Sequence, residues 1–328
     1  MQFNGKQPLG VVYNTTMNRP DAALTLALLY GLTGKREARI GSICVNGSGL
    51  GAAVFCDVVS RFYTPGPLRN ANQTLPPGLA LQVPLPPDPP MVKPAIERKN
   101  DKGEVQYPRS LSKITDTSLA EAVIRNGVIF NAEAVLILSA PATYLAKTFD
   151  LQGTKEIYKQ RVRMLVVVEA GEGGVRQDVP ALRRVLAEWP GPIVYCGKEI
   201  GEALPFPAAS IERDFGWAPT NPVTDAYRAY KAMPYDAPSW DLAATLYAVH
   251  PDQGFFDTEQ GTIQVADDGA LKFAAGSGNH KALRVDPDKR DKVIQTLVEL
   301  ASAKPVVPPQ RVRPPQVQDV KKPAEAKP

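Results

Sequence analysis

One segment near the start of the chain, Asn14-Thr15-Thr16-Met17-Asn18-Arg19-Pro20-Asp21-Ala22-Ala23-Leu24, sets two carboxamides, two hydroxyls and a carboxylate between an apolar strand-like run and an apolar helix-like run. Polar groups beyond the C-terminal end of a parallel strand are placed to hydrogen-bond a sugar or nucleotide, and a carboxylate there can hold a cation or accept a proton. Two later places carry similar chemistry. Glu172-Gly173-Gly174 is a glycine-rich turn behind a strand run, without G-x-G-x-x-G or phosphate-loop spacing. Trp240-Asp241 opens a helical run after Ser239. Plainer readings stand beside these: Asp21 and Asp241 as first-turn acids favoured by the helix dipole, Asn14, Thr16 and Asn18 as turn residues, and Trp240, His250 and the Tyr227/Tyr230 pair as packing.

The elements that must position these residues follow from periodicity. Leu9–Tyr13, Arg39–Val45, Ala134–Ser139, Arg163–Val168 and Ile193–Cys196 are strand-length apolar runs. Between them lie helical stretches at Asp21–Leu32, Gly51–Tyr63, Thr117–Arg125 (with Ser118 and Glu121 at capping-box spacing), Pro141–Phe149 and Pro180–Trp189 behind Asp178. Near-continuous apolar strands alternating with helices predict an α/β fold, a mostly parallel central sheet covered by helices on both faces. The last third reads differently. Helices at Val223–Lys231 and Ser239–Val249, a hairpin over Thr262–Ala266 and Ala270–Ala274 turning at Asp268-Gly269, and a terminal helix Pro287–Ala301 form a C-terminal helical and β-hairpin elaboration.

With 44% hydrophobic and 22% charged residues, the chain is neither wholly disordered nor collagenous. Eleven of the 32 prolines fall between Thr64 and Pro108, where the missing N–H and fixed φ disfavour helix and central strand, so residues 64–116 read as a surface excursion. Residues 304–328 hold six basic and two acidic residues, equal to the whole chain's net charge of +4. They read as a disordered Pro/Lys-rich tail behind a single domain of residues 1–303. The body is therefore electrically neutral and offers no basic face for nucleic acid. No apolar run reaches a membrane span. Cys44, Cys56 and Cys196, widely spaced and without a CxxC pair, argue against a disulfide framework or thiolate zinc site and for a reducing compartment. The opening MQFNGKQPLGVVY lacks a basic n-region and an apolar h-region, so a cytoplasmic location is expected.

Val11–Leu29 resembles, without a gap, the pattern strand, D-T-D-x-G-x-D-D-A-x-A-L, helix, the calcium-binding signature of the inosine-uridine preferring nucleoside hydrolases. Leu138–Ala146 is similar to the family's T-G-P-L-T-N-L-A segment; Glu188–Val194 with Gly197–Gly201, and Trp240-Asp241-Leu242, follow in family order, while Leu204–Arg213 and Met233–Asp236 resemble a bacterial subfamily. The resemblance spans roughly residues 9–300. It implies a nucleoside hydrolase-like fold and an N-ribohydrolase ancestry, in which bound Ca²⁺ and a carboxylate activate water against C1′ of a ribosyl centre. Its metal-ligand acids map to 14, 16, 20, 21 and 241, of which only Asp21 and Asp241 are acidic here. Thr16 stands at the family's general-base position, Trp240 replaces a His beside the late Asp, and Asn46 or Gly49 falls in the region of a ribose-contacting Asn. Glu172 matches the acid of a ribose-binding E-F-N, whose Asn is replaced by Gly174. The resemblance thus implies a nucleoside or sugar ligand held by Asn14, Asn18, Asn46, Glu172 and Trp240, with Asp21 and Asp241 as remnants of the calcium site. N-ribohydrolase activity is expected to be weak, altered or lost. Two alternatives remain at this stage: an active enzyme with a rearranged metal site, and a non-catalytic ligand-binding or scaffold protein. A homo-oligomer is compatible with each.

Overall fold

The computed structural model describes residues 7–64, 77–80, 85–171 and 174–306. The expected alternation opens the chain: β1 (Leu9–Thr15), α1 (Pro20–Gly34), β2 (Ala38–Val45) and α2 (Leu50–Tyr63). Next come β3 (Gly78–Leu79), α3 (Lys93–Glu97), β4 (Ser118–Leu119) and α4 (Ala120–Ile129). The centre is β5 (Ala134–Ser139), α5 (Thr143–Thr148), α6 (Thr154–Arg161), β6 (Val162–Val168), α7 (Val179–Glu188) and β7 (Ile193–Cys196). Four helices follow, α8 (Lys198–Ala203), α9 (Ala208–Arg213), α10 (Pro222–Tyr230) and α11 (Trp240–Val249), before β8 (Asp257–Val265), β9 (Leu271–Ala275), β10 (His280–Arg284) and α12 (Arg290–Ala301).

All ten strands form one sheet in the order β4-β3-β2-β1-β5-β6-β7-β10-β8-β9. Its pairings are parallel except those of β8 with β10 and β9. Side chains alternate between two cores as the pleat requires. Val11, Tyr13, Val135 and Ile137 face one cluster, under α1, α2, α10, α11 and α12; Val12, Leu136 and Leu138 face the other, under α4, α5 and α7. Helix α1 packs on β2 and is flanked by α2, α10, α11 and α12, which is why its sequence PDAALTLALLYGLTG lacks a polar face. The three cysteines are buried and unbridged. Among the described residues no helix is long and apolar enough to cross a membrane.

Three local expectations need correcting. The proline-rich excursion, read as a surface loop, contributes structure: β3 pairs with β2 inside the sheet, and Met91, Val92, Ala95, Ile96, Tyr107 and Leu111 are buried. Its apolar residues outweigh the proline content because α2 and α10 offer them a face. Ser118 lies in β4 and α4 begins after Leu119 without a side-chain cap, so the Ser118/Glu121 capping box does not form. Finally, β10 went unread, because His280-Lys281-Ala282-Leu283-Arg284 has too little apolar content to signal a strand; it inserts parallel to β7 and carries the hairpin onto the sheet. Residues 307–328 of the proposed tail lie outside the described residues.

Candidate functional site

From β1 the chain steps outward through β2, β3 and β4, then returns across β1 to β5 and proceeds through β6 and β7. The order reverses between β1 and β5, and crevices in open α/β sheets lie beyond the strand ends at such a reversal. Thr15 is in register with Val45 on one side and Ser139 on the other. The turn that follows is tight. Met17 is buried with φ of 52°, a left-handed conformation costly for a non-glycine residue, and its N–H donates to Thr15 Oγ1 at 3.1 Å. Pro20 occupies the first position of α1, where its missing N–H costs nothing. A residue before proline is held extended, and Arg19 accordingly has φ −132° and ψ 150°.

That backbone geometry sends the Arg19 side chain between the two acids. Its Nε lies 3.3 Å from Asp21 Oδ1, and its Nη2 lies 3.2 Å from Asp241 Oδ1 and 2.9 Å from Ser139 Oγ. Ser139 Oγ in turn donates to Asp241 Oδ1 at 2.6 Å, the Tyr13 hydroxyl donates to Asp241 Oδ2, and the Asp241 N–H donates to Asp21 Oδ2 at 3.0 Å. Every oxygen of both carboxylates therefore has a donor. Trp240 covers the assembly, with the guanidinium carbon 5.7 Å from its ring centroid. The indole is held by Nε1–H donating to the Lys198 carbonyl at 2.8 Å and lies against Gly201, where a Cβ would collide with it.

One guanidinium faces two carboxylates whose residues show no solvent exposure. Burial first, then the Asp241 charge, push the Asp21 carboxyl upward, against the pull of Arg19 and the Asp241 N–H. Burial works against the Arg19 charge, but Asp21 and Asp241 more than offset it and hold the guanidinium protonated. Tyr13 is raised well above the usual phenol range by burial and by both acids, so it remains a donor.

The other expected site residues fall around this core. Asn14 Nδ2 donates to the Ile137 carbonyl at 3.3 Å, and Asn46 Nδ2 to the Pro141 carbonyl at 2.8 Å, bracing the ends of β1, β2 and β5. The Thr16 hydroxyl donates to Asn18 Oδ1, which also lies 3.4 Å from Arg19 Nη1, while the Thr16 carbonyl accepts from Ser48 Oγ. Glu172 lies outside the described residues. Among the described residues no group of three or more His, Cys, Asp or Glu side chains is placed to hold a metal ion. His250 pairs with Glu37, and His280 accepts from the Ile263 N–H on the β8 side; neither belongs to the crevice network.

Three central residues, Arg19, Tyr13 and Ser139, were not singled out from sequence. Tyr13 looks like one more apolar strand residue and Ser139 like the last residue of a strand. Arg19 had one available signal: the Arg-Pro-Asp order fixes an extended residue directly before a helix that begins with an acid.

No protein-family model matches the chain and no curated protein matches it. Solved structures do. The inosine-uridine preferring nucleoside hydrolase from Bacillus anthracis aligns over 89% of this chain and 98% of its own at 13% identity, with a TM-score of 0.62. A plant nucleoside hydrolase aligns over 90% and 100% at 17% identity, with a TM-score of 0.58. The type III effector protein XopQ, solved in complex with adenosine diphosphate ribose, aligns over 92% and 96% at 12% identity, with a TM-score of 0.59. At these identities the likeness establishes the nucleoside hydrolase-like fold.

Proposed function

We propose that this chain, built on a nucleoside hydrolase-like fold, binds a nucleoside or related ribosyl ligand in the crevice between β1 and β5. N-glycosidic hydrolysis, the reaction of the enzymes it resembles, then runs weakly or not at all. The observation that carries the reading is the orientation of the acids: Asp21 and Asp241 both face Arg19, and each of their oxygens already accepts a hydrogen bond. Attack of water on a ribosyl C1′ needs a group that takes the water's proton as the bond forms, and near neutral pH a carboxylate does this where a hydroxyl does not. Thr16, at the position where the resemblance puts the base, has only a hydroxyl and directs it to Asn18. What this chain retains is suited to binding. Half-buried Asn18 offers hydrogen bonds to sugar hydroxyls, and Trp240 offers an apolar wall.

The test combines binding with turnover. A ligand that binds only the folded state raises its melting temperature by mass action, so inosine, uridine, ribose and adenosine diphosphate ribose are compared by thermal shift. Release of hypoxanthine or uracil is followed in parallel. A saturable shift with at least one ribosyl compound, with turnover far below about 1 s⁻¹, is expected. Turnover at or above that rate would remove the non-hydrolytic reading, and no shift with any of the four would remove the binding reading.

A further inference from the structure

Asp21 and Asp241 share one feature that an acidic metal site needs and one that it cannot tolerate. They converge: Oδ1 of each points to the same place, where each meets a nitrogen of one guanidinium. The place is also filled. Calcium takes six to eight oxygens at about 2.3–2.6 Å, and the two oxygens it would need most are the pair that hold Arg19 Nε and Nη2. Ser139 Oγ, a neutral oxygen at the same spot, accepts from Nη2 at 2.9 Å as well. A divalent ion and the guanidinium cannot occupy this space together.

We propose that Arg19 is a tethered cation that fills the seat between Asp21 and Asp241, replacing a divalent metal ion and excluding one. The Arg19-Pro20 dipeptide accomplishes this locally. Proline at 20 puts no carboxylate on the first position of α1, and the same ring holds Arg19 extended, so that its side chain turns back over the end of β1. Trp240 closes the outer side of the guanidinium, and Arg19 is left 9% exposed. Arginine suits the task better than lysine, because its planar fork bridges two carboxylates in a fixed geometry and it stays charged when buried. This inference deepens the proposed function, since it explains how the crevice holds its two acids without a metal. Its test uses no nucleoside, so a failure to bind ribosyl ligands leaves it untouched.

Calorimetric titration of the full chain with Ca²⁺ and with Mn²⁺ is the first arm. No binding up to millimolar metal is expected; micromolar binding that Asp21→Asn abolishes would overturn the proposal. The second arm uses Arg19→Ala, which leaves two buried carboxylates around a guanidinium-sized gap. The variant is expected to melt several degrees below the parent and to regain part of that loss with millimolar Ca²⁺, with affinity at least tenfold above the parent's. The further change Asp241→Asn should cancel the gain. If Arg19→Ala folds and responds to neither Ca²⁺ nor added methylguanidinium, the two acids do not form a cation seat and the proposal fails. Should the variant not fold in plain buffer, its refolding yield with and without methylguanidinium gives the same decision: rescue supports the tethered cation and absence of rescue refutes it.

Discussion

The backbone N–H of Asp241 donates to Oδ2 of Asp21 at 3.0 Å, joining the first turn of α11 to the first turn of α1 across 220 residues of chain. The first N–H groups of a helix have no partner within it, and a residue before the helix commonly supplies one from its own side chain. Ser239 precedes α11 yet caps nothing, and its buried hydroxyl has no hydrogen-bond partner. Asp21 serves instead, from another helix. The positive ends of two helix dipoles thereby meet at two acids, and Arg19 neutralises most of what remains.

Asp21→Ala and Asp21→Asn should differ in size of effect. The alanine leaves Arg19 short of one partner and the Asp241 N–H without any, a broken buried pair of the kind that costs about 3–5 kcal/mol. Asparagine keeps an acceptor for the N–H, and because Asp21 already sits above the usual carboxylate range its charge is the less valuable part. Urea unfolding of both variants checks this; equal losses would show that the charge, and not the cap, is what α11 depends on.

Gly201 lies beneath the Trp240 indole with no room for a methyl group. Gly201→Ala should displace the ring or the first turn of α11, with an overpacking cost of about 1–3 kcal/mol. Because Trp240 covers Arg19, a change in tryptophan emission should accompany the loss of stability. An unshifted spectrum with full stability would mean that α8 moves away freely.

How much of this was legible beforehand differs by element. The runs Val11–Tyr13, Ala134–Leu138 and Leu165–Val168 are buried on both faces, so their apolar content declared them, and parallel strands need crossover helices between them. The Asn14–Asp21 segment could be placed at the C-terminal end of β1 for the same reason. Arg19 could not be assigned in full, because beyond its neighbour Asp21 its role depends on Ser139 and Asp241, 120 and 222 residues away, which nothing local to Arg19 names. β3 and β4, with two residues each, are too short for any pattern to form.

Asp57 explains how the proline-rich segment is fastened despite its composition. Buried in α2, it accepts from the backbone N–H groups of Ser110 and Leu111 and pairs with Arg61 at 3.0 Å. Asp57→Ala should cost about 1–3 kcal/mol by leaving those donors without an acceptor. The effect should be local. Trypsin cleavage at Lys99, Lys102, Arg109 or Lys113 is expected to accelerate well beyond cleavage elsewhere. Uniform acceleration along the chain would indicate global destabilisation instead.

His280 makes the docking of the β8–β9 hairpin sensitive to pH. Its Nδ1 accepts from the Ile263 N–H at 3.0 Å, which requires the neutral imidazole, and partial burial lowers its pKa below the usual value. The folded state therefore holds fewer protons on this residue than the unfolded chain, whose histidine titrates near 6.5. A depressed folded pKa means that the stabilisation is fully present above about pH 6.5 and is lost as pH falls toward the folded pKa, the unfolded state binding the extra proton. Replacing the residue removes this contribution: His280→Gln should be less stable than the parent at pH 8, with the gap narrowing between pH 6.5 and 5. Urea midpoints of the two proteins across that range measure it. A gap that widens on acidification would mean that protonated His280 finds an acid in the folded state, and that its pKa is raised and not lowered.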